Sequence, residues 1–185
     1  MDCLRKVVEH HLANGGVSRF EKFKIYHKEF LGKSISENEI QILAQQFSDL
    51  VLNKVVESPY VKGAYEFISG NYKKYDLYLS SGTPQKEIRE IAKRRNIQQF
   101  FKGIYGSPLL KSEHTMKIIE SNNYLKDEVV FIGDAPSDRK AATENNIHFI
   151  ARVNDKNSLL KNEKNKIEDL RGLKNKLNHL EEIFI

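Results

Sequence analysis

The sequence predicts an α/β fold in which a helical segment precedes a parallel sheet, and three observations support this prediction. Up to residue 58, apolar residues recur only at helical spacing. From residue 76 onward, short β-prone runs alternate with amphipathic helical segments, which is typical of a parallel sheet with helices on both faces. The run Val129-Val130-Phe131-Ile132 is apolar at every position. Such a run predicts a central strand, buried on both faces of a Rossmann-like sheet.

The first 58 residues are predicted to form an all-helical domain, with helices up to residue 13, over 19–31 and over 37–56. Asn14-Gly15-Gly16 separates the first two helices. Two helix starts carry the spacing of a capping box, Ser18 with Glu21 and Ser36 with Glu39. The dipeptide Ser58-Pro59 is the predicted boundary between this domain, 1–58, and an α/β domain, 59–185.

In the α/β domain, strands are predicted at 77–79, 103–105, 129–132 and 147–153. Helices are predicted at 85–95, 112–122 and 137–145, between and after these strands. A polar, Lys/Asn-rich loop over 154–166 leads to a final amphipathic helix over 170–180.

Composition argues against several classes of protein. The 185 residues suffice for one domain, and no apolar run approaches the ~20 residues of a membrane span. Lys and Arg number 30 against 25 Asp and Glu, mixed along the chain, which argues against a nucleic-acid-binding face. With Cys3 as the single cysteine and no pair of histidines four residues apart, neither a disulfide nor a zinc site is expected. The charged first residues do not form a secretory leader, so we expect a cytoplasmic protein without membrane or nucleic-acid partners.

The segment Ser81-Gly82-Thr83-Pro84 follows the first predicted strand and opens a helix, with Thr83 as its expected N-cap and Pro84 at its first position. The Ser81 hydroxyl, the Gly82 amide and the positive end of the helix could together bind a phosphate group. Alternatively, Thr83 only caps the helix and Ser81 only forms a turn. This segment taken alone favours that second interpretation.

Two acidic residues follow the apolar strand, Asp134 directly after Gly133 and Asp138 four residues later. Asp134 is expected where the strand ends and Asp138 in the first turn of the next helix, so both carboxylates could contribute to a Mg²⁺ site. The alternative is that Asp138 only complements the helix N-terminus and Asp134 only forms a turn. The position at the carboxyl end of the strand favours the metal site.

Two further positions carry weaker signals. Lys111 lies near a predicted helix start, where a solvated lysine is the ordinary interpretation. In Gly16-Val17-Ser18-Arg19, a flexible turn presents Arg19, which could bind an anionic substrate with two hydrogen bonds. Ser18 already has an ordinary role as a helix cap.

In combination, these motifs resemble the haloacid dehalogenase superfamily of phosphohydrolases, in particular members of the β-phosphoglucomutase and phosphoglycolate phosphatase type. Three of the family's four signature segments occur in order: Ser81 after a strand, Lys111 before a helix, and Asp134 with Asp138 after another strand. The helical domain is similar to the family's cap, and the Ser18-Arg19 loop is similar to a cap loop that grips substrates.

The resemblance implies Mg²⁺ as cofactor and a small phosphorylated metabolite as substrate. Ser81 and Lys111 would hold the phosphoryl oxygens, with Gly82 and Thr83 beside them. Asp134 and Asp138 would bind the metal. On the cap side, the resemblance makes Ser18 and Arg19 contacts for the rest of the substrate.

One departure from the family concerns its fourth signature, an apolar strand ending in Asp-x-Asp that supplies the nucleophile. No Asp-x-Asp occurs in the 185 residues, and Asp2 has no apolar strand before it. We therefore expect a truncated chain that is inactive as written, or a non-catalytic remnant that binds phosphate or a partner. The family places the absent strand between those leading to Ser81 and Asp134. Unpaired edges there would favour self-association.

Overall fold

The computed structural model describes residues 3–155 and 158–183. Its first part is helical, as predicted, with α1 (Cys3–Ala13), α2 (Arg19–Ile25) and α3 (Glu37–Glu57). The predicted second helix differs in one respect, because it widens into a π-helical turn over Tyr26–Phe30. None of the helices in the described ranges is long and apolar enough to cross a membrane.

Local capping explains where the helices of this part begin. Ser36 Oγ accepts a hydrogen bond from the Glu39 amide at 3.3 Å, and the Glu39 carboxylate accepts one from the Ser36 amide at 2.8 Å. This predicted capping box is confirmed. The second predicted capping box is only half formed: Ser18 caps α2 by accepting from the Glu21 amide at 3.4 Å, but the Glu21 carboxylate lies 3.9 Å from Lys24 Nζ instead of accepting from the Ser18 amide.

The remaining chain alternates strands and helices in the predicted order. The strands are β1 (Tyr78–Pro84), β2 (Gly103–Ser107), β3 (Val130–Gly133), β4 (His148–Arg152) and β5 (Lys166–Ile167). The helices are α4 (Ala64–Asn71), α5 (Gln85–Arg94), α6 (Lys111–Asn122), α7 (Pro136–Asn145) and α8 (Leu173–Ile183). The α/β class is therefore confirmed, while α4 and the short β5 were not predicted.

The strands form two parallel sheets. In one sheet β1 pairs with β2, with Tyr78 opposite Gly103. In the other, β4 lies between β3 and β5, with Val130 opposite His148. Among the described strands, β1 and β3 therefore have one neighbour each.

Among the described strands, β3 pairs with β4 alone, and its residues are accordingly less buried than predicted. Each of its four residues is only partly buried, although the run is apolar through Ile132. The expectation of a central strand buried on both faces is therefore wrong, because β3 forms one edge of its described sheet. Every residue of β1 is likewise partly buried.

Each sheet has its own apolar core. Five buried residues pack around β2 and α5: Ile88, Ile91, Ala92, Ile97 and Ile104. Four others pack between β4, α4 and α8: Phe67, Ile150, Leu173 and Leu177.

Helix α5 begins at Gln85, as its predicted range requires, but its cap lies one residue later than predicted. Thr83 is not its N-cap, because β1 runs through Pro84, which pairs with Ser107 and itself occupies the N-cap position. Gln85 fixes this junction to β2 by donating to the Ile104 carbonyl at 2.8 Å and accepting from the Gly106 amide at 2.6 Å.

Candidate active site

A cavity of about 630 Å³ lies between the helical part and the carboxyl end of β1. Ser81, Gly82, Thr83 and Lys111 line it from the α/β part, and residues of α1, α2 and the loop between them line it from the other side. Open parallel sheets place ligands at the carboxyl ends of their strands. The predicted phosphate-binding residues thus share one cavity.

The Ser81 hydroxyl accepts a hydrogen bond from the Thr83 amide at 3.1 Å. This bond is the turn that the alternative interpretation predicts. It uses the oxygen of Ser81 as acceptor and leaves the hydroxyl proton available for donation to a phosphate oxygen. The turn and a binding role are therefore compatible.

Lys111 and Asp138 form a buried ion pair at the start of α6. Lys111 Nζ lies 2.5 Å from Asp138 Oδ1, and only 12% and 5% of the two side chains are exposed. Asp138 occupies the first turn of α7, as predicted, and its Oδ2 accepts from the Ala135 amide at 2.9 Å. Both oxygens of Asp138 are therefore engaged within the protein.

Asp134 follows β3 directly and is in a different environment. Its side chain is 59% exposed, and Oδ2 lies 3.3 Å from Arg152 Nη1 on β4. Of the two predicted metal ligands, Asp134 is thus the one whose carboxylate remains accessible. Among the described residues, no group of three or more His, Cys, Asp or Glu side chains could hold a metal ion.

The Gly15-Gly16 turn reaches from the helical part into this site. Gly16 has φ +77°, and a Cβ added there would meet Ser137 Oγ and would lie 2.9 Å from Lys111 Nζ. A Cβ added at Gly82 would lie 2.5 Å from the Gly16 carbonyl oxygen. Ser137 also donates to the Gly15 carbonyl at 3.3 Å. The turn therefore contacts both the β1 junction and the start of α7.

A sequence profile of haloacid dehalogenase-like hydrolases matches residues 9–152, which is most of the chain and includes both sides of the cavity. The chain belongs to the haloacid dehalogenase-like hydrolase family. The resemblance read from Ser81, Lys111 and Asp134 is thereby confirmed. No curated protein sequence matches the chain significantly.

Several solved structures share the fold of this chain. A phosphatase candidate from Clostridium difficile superimposes with a TM-score of 0.65 at 19% identity, covering 95% of this chain and 82% of that one. A predicted phosphoglycolate phosphatase from Haemophilus somnus 129pt superimposes with a TM-score of 0.70 at 14% identity, and the match covers 94% of this chain and 86% of that one. A β-phosphoglucomutase candidate from Thermotoga maritima superimposes with a TM-score of 0.57 at 20% identity, and the match covers 96% of this chain and 89% of that one.

Arg19 lines the cavity of this family member, but a neighbouring helix engages its guanidinium. Nη1 and Nη2 each donate to one carboxylate oxygen of Glu87 on α5 at 2.8 Å, and Nη1 also donates to Ser48 Oγ at 2.6 Å. Only 11% of the Arg19 side chain and 8% of the Glu87 side chain are exposed. The arginine ties the helical part to α5, and Ser18 beside it caps α2.

His114 is a site neighbour that the sequence did not indicate. It is 1% exposed on α6, and its ring lies 2.9 Å from Ser80 Oγ and 3.2 Å from the Gly106 carbonyl. A carbonyl only accepts, so Nε2 donates to Gly106, and in the neutral ring Nδ1 then accepts from the Ser80 hydroxyl. Burial lowers the pKa of His114, in agreement with that form.

Proposed function

We propose that the chain is a haloacid dehalogenase-type phosphohydrolase core that binds small phosphorylated metabolites with Mg²⁺. The observation that carries this proposal is the cavity that Ser81 and Lys111 both line. Phosphoryl transfer depends mainly on positioning and on neutralising charge on the phosphoryl oxygens, and these two residues suit that task. The names of the Haemophilus and Thermotoga proteins support a small phosphorylated substrate.

In this proposal, each residue has a distinct role. The Ser81 hydroxyl and the Gly82 amide would donate to phosphate oxygens, and Lys111 would add positive charge. The Thr83 amide would hold the Ser81 oxygen in place, because it already donates to it. Asp138 would act as a positioning residue, because it holds the Lys111 ammonium at the cavity wall.

Asp134 would hold Mg²⁺, since its carboxylate is accessible at the end of β3. Mg²⁺ is typically bound by one or two carboxylates together with substrate phosphate and water, so the donors present fit part of such a site. The ion would neutralise phosphate charge. Because Asp138 is engaged by Lys111 and the Ala135 amide, binding of Mg²⁺ without a phosphate should be weak.

A second candidate function is phosphate binding without catalysis. The 185 residues contain no Asp-x-Asp, and a phosphoaspartyl route needs a carboxylate nucleophile. Both functions predict that phosphate binds at this site, but only the first predicts hydrolysis of a phosphate ester.

The binding part can be tested by calorimetry with inorganic phosphate, with and without Mg²⁺. We expect phosphate to bind, Mg²⁺ to strengthen binding, and Asp134→Asn to remove the Mg²⁺ effect alone. Lys111→Met and Ser81→Ala should each weaken phosphate binding itself, and Ser81→Ala serves if Lys111→Met does not fold. Unchanged phosphate binding in folded Ser81→Ala and Lys111→Met would contradict the proposed cradle.

A further inference from the structure

The side of the cavity formed by α1 and α2 contains polar groups that the proposed function does not use. His11, Lys22 and Tyr26 all line it. The wall around them is apolar and consists of Val7, Val8, Leu12, Val17, Phe23 and Phe47. Polar groups that converge in an otherwise apolar cavity are typical of sites that orient a ligand.

Lys22 is buried without a carboxylate partner. It is 7% exposed, and its ammonium contacts His11 Nδ1 at 3.3 Å and the His11 carbonyl at 3.4 Å. Within the described part of the chain, no Asp or Glu forms an ion pair with it. A buried charge without a counterion is costly, and burial accordingly lowers the pKa of Lys22. Residues of this type are usually exposed or paired.

Tyr26 supplies a second, independent observation. Its hydroxyl is buried and has no hydrogen-bond partner among the described residues. The ring itself is fixed, because it stacks on Phe30 with centroids 5.6 Å apart and meets His10 edge to face at 5.4 Å. Leaving such a hydroxyl unsatisfied costs about 1–3 kcal/mol. Lys22 and Tyr26 thus line one cavity, and the described residues offer no acidic acceptor to either side chain.

Arg19, the other cation on this side of the cavity, differs from Lys22 because it has a carboxylate partner. Arg19 lies in the same wall, but its guanidinium already makes two hydrogen bonds to Glu87. Lys22 is therefore the buried cation of this wall whose charge is not balanced by a side chain of the described residues.

We propose that Lys22, Tyr26 and His11 form a second subsite, which binds an anionic oxygen group, carboxylate or phosphate, of the substrate. This inference rests on the proposed function, because the phosphoryl group of the same substrate would lie at Ser81 and Lys111. The substrate class is then a small molecule with a phosphoryl group at one end and a second oxyanion at the other. Lys22 and Tyr26 would donate to that oxyanion.

Three probes with the same three-carbon skeleton test the subsite by calorimetry: glycerol 3-phosphate, 3-phosphoglycerate and glycerol 1,3-bisphosphate. The first has a neutral hydroxymethyl group where the others have a carboxylate or a second phosphate. We expect at least one of the doubly anionic probes to bind about tenfold more tightly than glycerol 3-phosphate. The comparison between the last two probes identifies which oxyanion the subsite prefers.

Lys22→Met should abolish this preference and leave the affinity for glycerol 3-phosphate unchanged. Tyr26→Phe should reduce the preference, and Lys28→Met should change nothing, since the Lys28 side chain is 83% exposed outside the cavity. Lys22→Met should also raise the melting temperature, because an apolar side chain replaces a buried unpaired charge. If Lys22 had only a structural role, its replacement would instead lower the melting temperature.

Acetate alone tests the subsite without the phosphate cradle. It should shift the NMR signals of the His11 ring in the unmodified protein and not in Lys22→Met. Absence of that shift, or equal affinity for all three phosphates, would overturn the subsite while leaving the phosphate cradle intact. If no phosphate binds but the acetate shift occurs, the proposed function fails and the oxyanion site remains.

Discussion

Lys111 Nζ and Asp138 Oδ1 lie 2.5 Å apart in a buried contact that joins the first turn of α6 to the first turn of α7. Removing one partner of a buried ion pair leaves the other charge uncompensated, whereas removing both avoids that penalty. The contribution of this ion pair can therefore be measured from the free energies of unfolding of single and double variants.

We expect Lys111→Met to lower the free energy of unfolding by about 3 kcal/mol, because Asp138 then keeps only its bond from the Ala135 amide. The double variant Lys111→Met, Asp138→Asn should recover part of this loss. Urea denaturation of both single variants and the double variant measures the coupling. Equal losses in the single and double variants would show that the pair is not coupled.

Gly16 offers a steric test with a matched control. Gly16 and Gly32 both have positive φ, but a Cβ at Gly16 would meet Ser137 and Lys111, whereas nothing lies within 4 Å of one at Gly32. We expect Gly32→Ala to cost about 1 kcal/mol from the backbone conformation alone. Gly16→Ala should cost roughly 1–3 kcal/mol more from crowding. Thermal denaturation compares the stabilities of the two variants. Equal losses of stability would mean that the Gly15-Gly16 turn does not pack against Ser137 and Lys111.

His114 predicts how stability depends on pH. Burial lowers its pKa from the ordinary value of 6.5, so below pH 6.5 the unfolded chain takes up a proton that the folded ring resists. The stability from the neutral ring is present above pH 6.5 and is lost as pH falls through the lower folded pKa. Urea midpoints should therefore decrease between pH 7.5 and 5.

His114→Gln should flatten this dependence. Burial also lowers the pKa of His11, so His11 contributes with the same sign and His11→Gln is the matched comparison. A slope as steep in both variants as in the unmodified chain would assign the pH dependence to other groups.

The 185-residue chain should hydrolyse an aryl phosphate with Mg²⁺ at no more than a trace rate. Without the carboxylate nucleophile, the positioning groups alone leave only residual catalysis. The measurement is release of the aryl alcohol by the unmodified chain and by Asp134→Ala. Rapid turnover that disappears in Asp134→Ala would reveal a nucleophile outside the motifs recognised in this sequence.

The unpaired edges of β1 and β3 should affect association. Exposed strand edges present backbone donors and acceptors to other chains. We expect the chain either to elute as a species larger than 21.5 kDa or to melt at an unusually low temperature for its size. Size-exclusion chromatography with light scattering, together with calorimetry, checks both. A monomer with a sharp transition at high temperature would contradict this expectation.

Features encoded by neighbouring residues were predictable from the sequence. The capping box of Ser36 and Glu39 depends on a spacing of three residues, and the start of α3 followed from it. The succession of strands and helices along the chain, and the position of Asp134 directly after a strand, followed from the alternation of apolar runs and helical segments. Ser81, expected after the first strand, instead lies within β1, because that strand continues to Pro84.

Features that depend on distant residues were not predictable. The carboxylate that binds Arg19 belongs to Glu87, 68 residues away, so the sequence presented Arg19 as a free cation. The N-cap of α4 is Gly63, which has a left-handed conformation and lies so close to the backbone of Arg171 that a Cβ there would be 2.5 Å from the Arg171 nitrogen. The burial of Lys22 was likewise not predictable, because α2 contains two lysines and the sequence does not distinguish a buried lysine from an exposed one.

The division of the strands into two sheets has a consequence for how the molecule unfolds. Ile91 and Ile104 belong to one apolar core, and Ile150 and Leu173 to another. A single cooperative transition requires that the loss of one core destabilise the other, and apolar contacts shared across a continuous sheet normally provide that coupling. Here no strand pairing among the described residues joins the two sheets, and the connection runs through α6 and α7, which pack on different sheets, contact each other and carry the Lys111 to Asp138 ion pair. The two halves should therefore exchange their amide hydrogens as separate units, with protection that differs between β2 and β4.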